Sequence, residues 1–234
     1  MKTKLTILSS NDILFNIPLH QAIYKDSRID LQKIYILKEK NNIKKKIKVL
    51  ILLKIWDFFK IFKKYIKSIL MQKRLSRYEA YANINSIKFI NSINSINSDL
   101  IVCINCPQIL NEKTISKINS PIYNFHPGDI PRFRGVLIPY YLLKEKKNEA
   151  CMTFHKIDKN IDKGIILNKS FLNLNSADNI FSIYEKLFLS DESKNFILEC
   201  IINHKNLSNM QAKGIDKYYT YPSFVELIKF KLRI

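Results

Sequence analysis

The chain has 234 residues, 47% hydrophobic and 25% charged, with 39 Lys and Arg against 20 Asp and Glu and a formal net charge of +19. Such a composition excludes a disordered or fibrous chain, and the length suffices to bury a core without disulfide or metal staples. The four cysteines, Cys103, Cys106, Cys151 and Cys200, are too few for a disulfide framework, and the apolar stretch after Met1 is too short for a signal peptide, so a cytoplasmic setting is expected. The positive excess favours anionic partners. A lysine-rich solvated surface accounts for it equally well.

In chain order, Lys4–Leu8 reads as a short apolar strand ending in the polar turn Ser9-Ser10-Asn11-Asp12. A helix is predicted over Pro18–Tyr24 and a second strand over Leu31–Leu37, the start of a parallel βαβ unit. From Asn41 to about Tyr81 polar residues fall three or four apart, at Lys54, Asp57, Lys60, Lys64 and Lys67, and apolar residues fill the rest. That is helical spacing with a wide apolar face, and charge interrupts it too often for a membrane span. The segment 41–82 is therefore predicted as a basic helical insert. It is expected to pack on the domain or on a partner subunit of a homo-oligomer; the competing reading is peripheral contact with anionic lipid through 44–77.

Ile84, Ile87, Ile90, Ile93 and Ile96 recur every three residues, which predicts a helix over Ser86–Ile96 capped by Asn85; the alternative is a polar linker. The unbroken apolar run Leu100–Ile104 predicts a buried strand. A short helix from an Asn111 cap through Ile118 follows, then a strand over Pro121–Phe125. Pro127, Gly128, Pro131 and Gly135 mark an irregular loop, and Val136–Lys146 reads as a helix. Cys151–Ile157 and Gly164–Phe171 are strand candidates around the loop Asp158–Lys163, and Ser176–Asn203 is mainly helical. The expected organisation is an α/β domain over 1–205, a Rossmann-like, mostly parallel sheet flanked by helices, with an aromatic and basic tail over 206–234 packing back on it.

Two stretches carry chemistry. In Tyr123–Gly135, YNFHPGDIPRFRG, Asn124 and His126 stand two apart at the end of a strand and so face the same side. In MTFHKIDKNIDKGIIL, Asp162 stands in a loop just before the turn residue Gly164. Taken singly, Asn124 and Asp162 also read as turn residues and His126 as a core histidine. Cys103-x-x-Cys106 is a lone pair without further ligands, so no metal site is expected. The basic stretch lacks a base-stacking motif, so no nucleic acid is expected as a partner.

Together the two stretches resemble the signature of the folate-dependent formyltransferase family, in which an Asn-x-His-Pro run is followed by Pro-x-x-Arg-Gly, Thr-x-His and Asp-x-Gly. Here these are Asn124-Phe125-His126-Pro127, Pro131-Arg132-Phe133-Arg134-Gly135, Thr153-Phe154-His155 and Asp162-Lys163-Gly164. The resemblance runs, more weakly, from Leu100 to about Leu187. It implies one-carbon transfer from 10-formyltetrahydrofolate to an amine, with Asn124, His126 and Asp162 as the catalytic residues. Asn124 is implied to donate to the oxygen that gains charge, and His126 to donate there or to move the amine's proton. Asp162 is implied to orient His126.

By the same resemblance, Pro107, Gln108, Ile109, Leu110, Ile157, Asp158 and Ile161 hold the folate. Pro127, Gly128 and Arg134 are candidates for serving the acceptor, as is His155, which otherwise reads as a strand-packing residue. Arg134 has two readings, meeting an anionic part of the acceptor or bracing its own loop. Methionyl-tRNA formyltransferases carry a further C-terminal domain, for which the roughly seventy residues after Asp162 leave little room. The glycinamide ribonucleotide enzyme carries a glycine-rich turn after its first strand, where this chain has Ser9-Ser10-Asn11-Asp12 and no glycine precedes Gly128. Cys106-Pro107-Gln108-Ile109 and the His-Pro-Gly form are similar to runs in amino-sugar N-formyltransferases. The expected acceptor is thus a small anionic amine, a nucleotide-linked amino sugar, with the other two acceptors as alternatives. A formyltransferase-like protein that binds without catalysis is the rival from another class.

Overall fold

The computed structural model describes residues 2–38, 47–48, 55–82 and 87–232. Among them, strands β1 (Thr3–Ser9), β2 (Ile29–Leu37), β3 (Glu79–Ala82), β4 (Leu100–Ile104), β5 (Ile122–His126), β7 (Glu149–Lys156) and β8 (Ile166–Asn173) form one sheet; the two-residue β6 (Arg134–Gly135) lies outside it. The order is β3-β2-β1-β4-β5-β7-β8, parallel through β5 and antiparallel for the last two. The chain winds outward from β1 in one direction and, from β4, in the other. The crevice at that reversal, beyond the carboxyl ends of the strands, is where open α/β sheets bind ligands.

Alternation along the strands divides the interior. Leu100, Val102 and Ile104 join the larger core with Leu5, Ile7 and Phe125, whereas Ile101 and Cys103 join a smaller core with Leu8, Tyr35 and Phe89. Burial on both faces is the reason LIVCI has no polar position. Helices α1 (Asn16–Lys25), α6 (Ile180–Leu189) and α7 (Asp191–Ile202) contribute Ile17, Leu19, Ile183, Leu187 and Ile197 to the larger core. Helix α3 (Ile87–Asn94) covers the smaller one, with Phe89 edge-on to Tyr35 at 5.3 Å between centroids. Its predicted Asn85 cap lies outside the described residues, as do 41–46 and 49–54 of the predicted insert.

The insert forms helix α2 (Ile55–Leu75), but its end is not helical. After one 3-10 turn, Ser76–Tyr78, β3 pairs in parallel with β2 from Ile34↔Glu79 to Leu37↔Ala82. The edge of β2 offers unpaired backbone groups there, and satisfying them overrides the helical period. Helix α4 (Glu112–Ile115) stops short of the predicted Ile118, although Asn111 does cap it, accepting from Thr114 N at 2.8 Å. Helix α5 (Ile138–Lys144) follows the loop after β5. The predicted helical run over Ser176–Asn203 breaks at Ser190, which is extended and caps α7 by accepting from Ser193 N at 3.1 Å. In the tail, β9 (Tyr218–Tyr219) pairs in parallel with β6, and α8 (Phe224–Lys231) buries Leu227 in the larger core. The loop after β5 is thus less irregular than predicted, because the tail supplies its strand partner.

His20 on α1 is fully buried, and neither ring nitrogen has a hydrogen-bond partner among the described residues. Burial pushes its pKa down to about 3. The unfolded chain therefore takes up a proton that the folded chain refuses as the pH falls below the usual histidine value near 6.5. Stability is full above that value and declines below it, by up to about 1.4 kcal/mol per pH unit from this group. Urea midpoints measured between pH 7 and pH 5 should fall less steeply for His20→Leu than for the wild type. Equal slopes would show that His20 contributes nothing to acid sensitivity.

Candidate functional site

The carboxyl ends of β1, β4 and β5 open into a cavity of about 1010 Å³. Asn124, His126 and Asp162 all line it, together with His155. The register explains the convergence. Asn124 lies opposite His155 and His126 opposite Thr153 across the antiparallel β5–β7 pair, and alternation puts all four on one face of the sheet.

His126 is 3% exposed. Its Nε2 lies 2.7 Å from the Phe133 carbonyl oxygen. A carbonyl only accepts, so Nε2 carries a proton and the Nδ1 edge is left facing Asp162, whose Oδ1 is 3.7 Å away. The carbonyl of Phe133, not Asp162, therefore fixes the ring, and Asp162 stands at ion-pair range instead of orienting it by a hydrogen bond.

The second histidine orients the amide. His155 is buried, and burial, reinforced by the nearby His126, pushes its pKa down to about 4. It is thus neutral near neutral pH. Its Nδ1 donates to the Lys156 carbonyl at 3.1 Å, so Nε2 is the accepting nitrogen and takes a hydrogen bond from Asn124 Nδ2 at 3.1 Å. One of the two N–H groups of the Asn124 amide is held in this way, which leaves the other to donate into the cavity.

Asp162 sits in the left-handed region, φ 51°. Its Oδ2 accepts from Gly135 N at 3.0 Å, and its Oδ1 lies 3.9 Å from His155 Nε2. One carboxylate thus stands between both imidazoles. The loop carrying Gly135 is fixed from several sides. Thr153 Oγ1 donates to the Gly128 carbonyl at 2.7 Å, and Lys169 Nζ pairs with Asp129 at 2.6 Å.

Of the residues expected to hold the folate, Pro107, Gln108, Ile109, Leu110, Ile157, Asp158 and Ile161 all line the cavity, as does Pro127. Gly128 and Arg134 do not. Gly128 backs onto His126, where a Cβ would come within 2.7 Å of Nε2 and 2.3 Å of the Phe133 carbonyl oxygen. Arg134 is spent on bracing: its Nη1 donates to the Ile161 carbonyl at 2.9 Å, and its Nε pairs with Asp216 at 2.5 Å. Of its two readings, the structural one describes these contacts.

Several lining residues were not singled out from the sequence. Ser10, Asn11 and Asp12 come from the turn after β1, and Tyr218, Thr220 and Tyr221 from the tail. The polar turn directly after an apolar first strand was a usable signal. The tail gave none, because its approach depends on the β6–β9 pairing. A part-buried amide network holds the turn after β1: Asn105 Nδ2 donates to Asn16 Oδ1 at 2.8 Å, and Asn16 Nδ2 donates to Ser10 Oγ at 2.9 Å. No cluster of metal-ligating side chains occurs among the described residues.

A carboxamide donor, an imidazole and a carboxylate around one cavity suit transfer of an acyl group to a nucleophile. Known proteins place the chain in that context. A methionyl-tRNA formyltransferase of Thermotoga neapolitana is 23% identical over 131 residues, 56% of this chain and 40% of the relative. The chain spans less than half the length of the curated relatives it matches. The fold is shared with an N-formyltransferase from Helicobacter canadensis solved with folinic acid and dTDP-3-aminofucose (TM-score 0.61, 16% identity, 93% of this chain and 70% of that one). It is also shared with the phosphoribosylglycinamide formyltransferase of Streptococcus pneumoniae TIGR4 (TM-score 0.62, 13% identity, 88% of this chain and 99% of that one). The family model described as formyl transferase matches residues 36–200, well over half of the sequence, and the chain belongs to that family.

Proposed function

We propose that this protein transfers a formyl group from 10-formyltetrahydrofolate to the amine of a small molecule, a nucleotide-linked amino sugar. The observation that carries the reading is the meeting of Asn124, His126 and Asp162 on one wall of the cavity. The folate would supply a formyl carbon bound to nitrogen, and the lining fits such a donor. Buried Leu110 and the partly exposed Ile157 and Ile161 give an apolar strip for a flat heterocycle, and loop backbone groups stand beside it.

In this reading the free N–H of Asn124 donates to the formyl oxygen, which gains negative charge as the amine nitrogen bonds to the carbon. A donor already aimed by His155 has no reorganisation to undergo at that moment. The amine must lose a proton, and the bond from the formyl carbon to the folate nitrogen must break with a proton delivered there. His126 accepts at Nδ1, and Asp162, 3.7 Å away, steadies the positive charge that results.

The acceptor wall supports the sugar class. Ser10, Asn11, Tyr218, Thr220 and Tyr221 offer hydroxyl and amide groups to a polyhydroxylated molecule, and Lys38 and Lys159 supply the cations of the cavity lining for its anionic part. The turn after β1 lacks the glycines of a backbone phosphate nest, which weakens the reading in which glycinamide ribonucleotide is the acceptor. The test is incubation with 10-formyltetrahydrofolate and a panel of amines that includes nucleotide-linked amino sugars, following release of tetrahydrofolate. Release with an amino sugar supports the proposal. Release with methionyl-tRNA or glycinamide ribonucleotide alone would reject the acceptor, and binding of folate without release would reject catalysis.

His155 is proposed as a positioning residue. His155→Ala should lower kcat about tenfold or more with little change in KM for the amine, as expected when a donor to the charged oxygen is misaimed. His155→Gln, which keeps an acceptor near Asn124, should restore part of the loss. A change confined to KM would contradict the role.

A further inference from the structure

Helix α2 packs on the domain by one face. Leu75 and Ser68 on that face are buried, Ile61 and Met71 pack against the larger core, and Lys64 pairs with Glu185 over the Phe181 ring. The predicted packing of the insert is thereby satisfied on this side. The opposite side is apolar as well. Phe62, Ile66 and Leu70, one turn apart, form a ridge pointing away from the domain, with 64%, 50% and 62% of their surfaces exposed, and Tyr65 stands beside it at 45%.

Lysines and an arginine border the ridge. Lys60, Lys63, Lys67 and Arg74 are exposed along one flank, and Lys73 lies at its C-terminal end. Within α2 the single acidic residue is Asp57. An apolar ridge beside cations on a helix that is itself anchored suits one kind of surface, an interface with apolar depth beneath an anionic layer. We infer that this face of α2 docks the protein on an anionic lipid bilayer, with Phe62, Ile66 and Leu70 entering the acyl boundary and the flanking lysines meeting headgroups. A second copy of the chain is the poorer occupant. It carries the same +19 charge, and it would bring like charges against the lysine flank. The helix does not cross the bilayer: among the described residues none is long and apolar enough to do so.

The experiment is vesicle flotation of the full chain at low and at physiological salt, with vesicles of phosphatidylcholine alone or mixed with phosphatidylglycerol. The protein should float with the mixed vesicles, more weakly as salt rises, and not with the neutral ones. A ridge variant, F62S with I66S and L70S, changes exposed side chains and should keep the wild-type melting temperature while binding at least about tenfold more weakly. A flank variant, K60Q with K63Q and K67Q, should lose at least about tenfold. A control variant, K113Q with K117Q and K146Q, removes the same charge from elsewhere on the surface and should bind almost as the wild type does.

Absence of flotation at low salt would overturn the inference. So would equal losses in flank and control variants, which would mean that the net charge alone drives binding. A dimer in light scattering that the ridge variant abolishes would assign the ridge to a second copy and overturn it too. None of these readings depends on formyl transfer, so this inference and the proposed function stand or fall separately.

Discussion

His126→Ala and Asp162→Asn should each lose most of the turnover of formyl transfer, by about 10²–10⁴-fold, while remaining folded. The two variants remove different things. Asp162→Asn keeps an oxygen that can accept from Gly135 N, so the loop geometry survives and only the charge facing the His126 Nδ1 edge is lost. His126→Ala removes the proposed base and also strands the Phe133 carbonyl, at a cost of about 1–3 kcal/mol. Melting curves are therefore recorded beside the kinetics, so that lost structure is not read as lost chemistry. Asn124→Ala should cost about 10²–10³-fold, the size usual for one missing donor to a developing oxyanion. If Asp162→Asn turns over at near wild-type rates with its fold intact, the carboxylate has no part in the reaction. The same result for His126→Ala would remove the imidazole from it.

Gly164→Ala is expected to damage the site from outside it. A Cβ there would fall 1.6 Å from the Lys156 carbonyl oxygen and 2.8 Å from its carbon. That carbonyl belongs to β7 backbone and cannot swing aside as a flexible side chain would. The turn after Asp162 must therefore open. This breaks the Lys156 N–H to Ile165 carbonyl bond of 2.8 Å and moves Asp162 away from Gly135. Overpacking of this kind costs about 1–3 kcal/mol where surroundings can yield, and more is expected against a fixed backbone. The variant should melt several degrees lower and lose activity to the same extent as Asp162→Asn, with folate binding weakened because Ile157, Asp158 and Ile161 ride on the same loop. An alanine variant with unchanged melting temperature and rate would show that the β7–β8 connection is free to move, and would remove the steric argument for Gly164.

What the sequence made legible follows from local patterns. Strand β4 and residues 34–37 of β2 are unbroken apolar runs, and burial on both sheet faces leaves them little other composition. Asn124 and His126 could be assigned to one side from their spacing alone, because side chains alternate along any strand. Helix α2 was visible in the periodicity of Lys54 to Lys67, yet β3 was not: Glu79–Ala82 has no strong strand signal, and its pairing is set by the open edge of β2.

The tail shows the same division on a larger scale. Its aromatic composition suggested packing, but its contribution of Tyr218, Thr220 and Tyr221 to the cavity depends on a two-residue pairing with Arg134–Gly135, 84 residues earlier. Asp216 likewise meets Arg134 only after that pairing forms, and the contact gives Arg134 a partner that its sequence neighbourhood does not contain.

By itself, then, the sequence determined the α/β class and the order of most elements, which rest on nearest-neighbour rules, the alternation of strands and the period of helices. The polar groups of the candidate site were named through the family resemblance, since each of them taken singly also reads as a turn or core residue. Tertiary structure alone decided how those groups are held: the Phe133 carbonyl fixing His126, the buried neutral His155 aiming Asn124, and Arg134 bound to the Ile161 carbonyl of its neighbouring loop. Each of these joins atoms through the fold's register and packing, and hydrogen bonds of defined direction are not encoded in the spacing of residues along the chain.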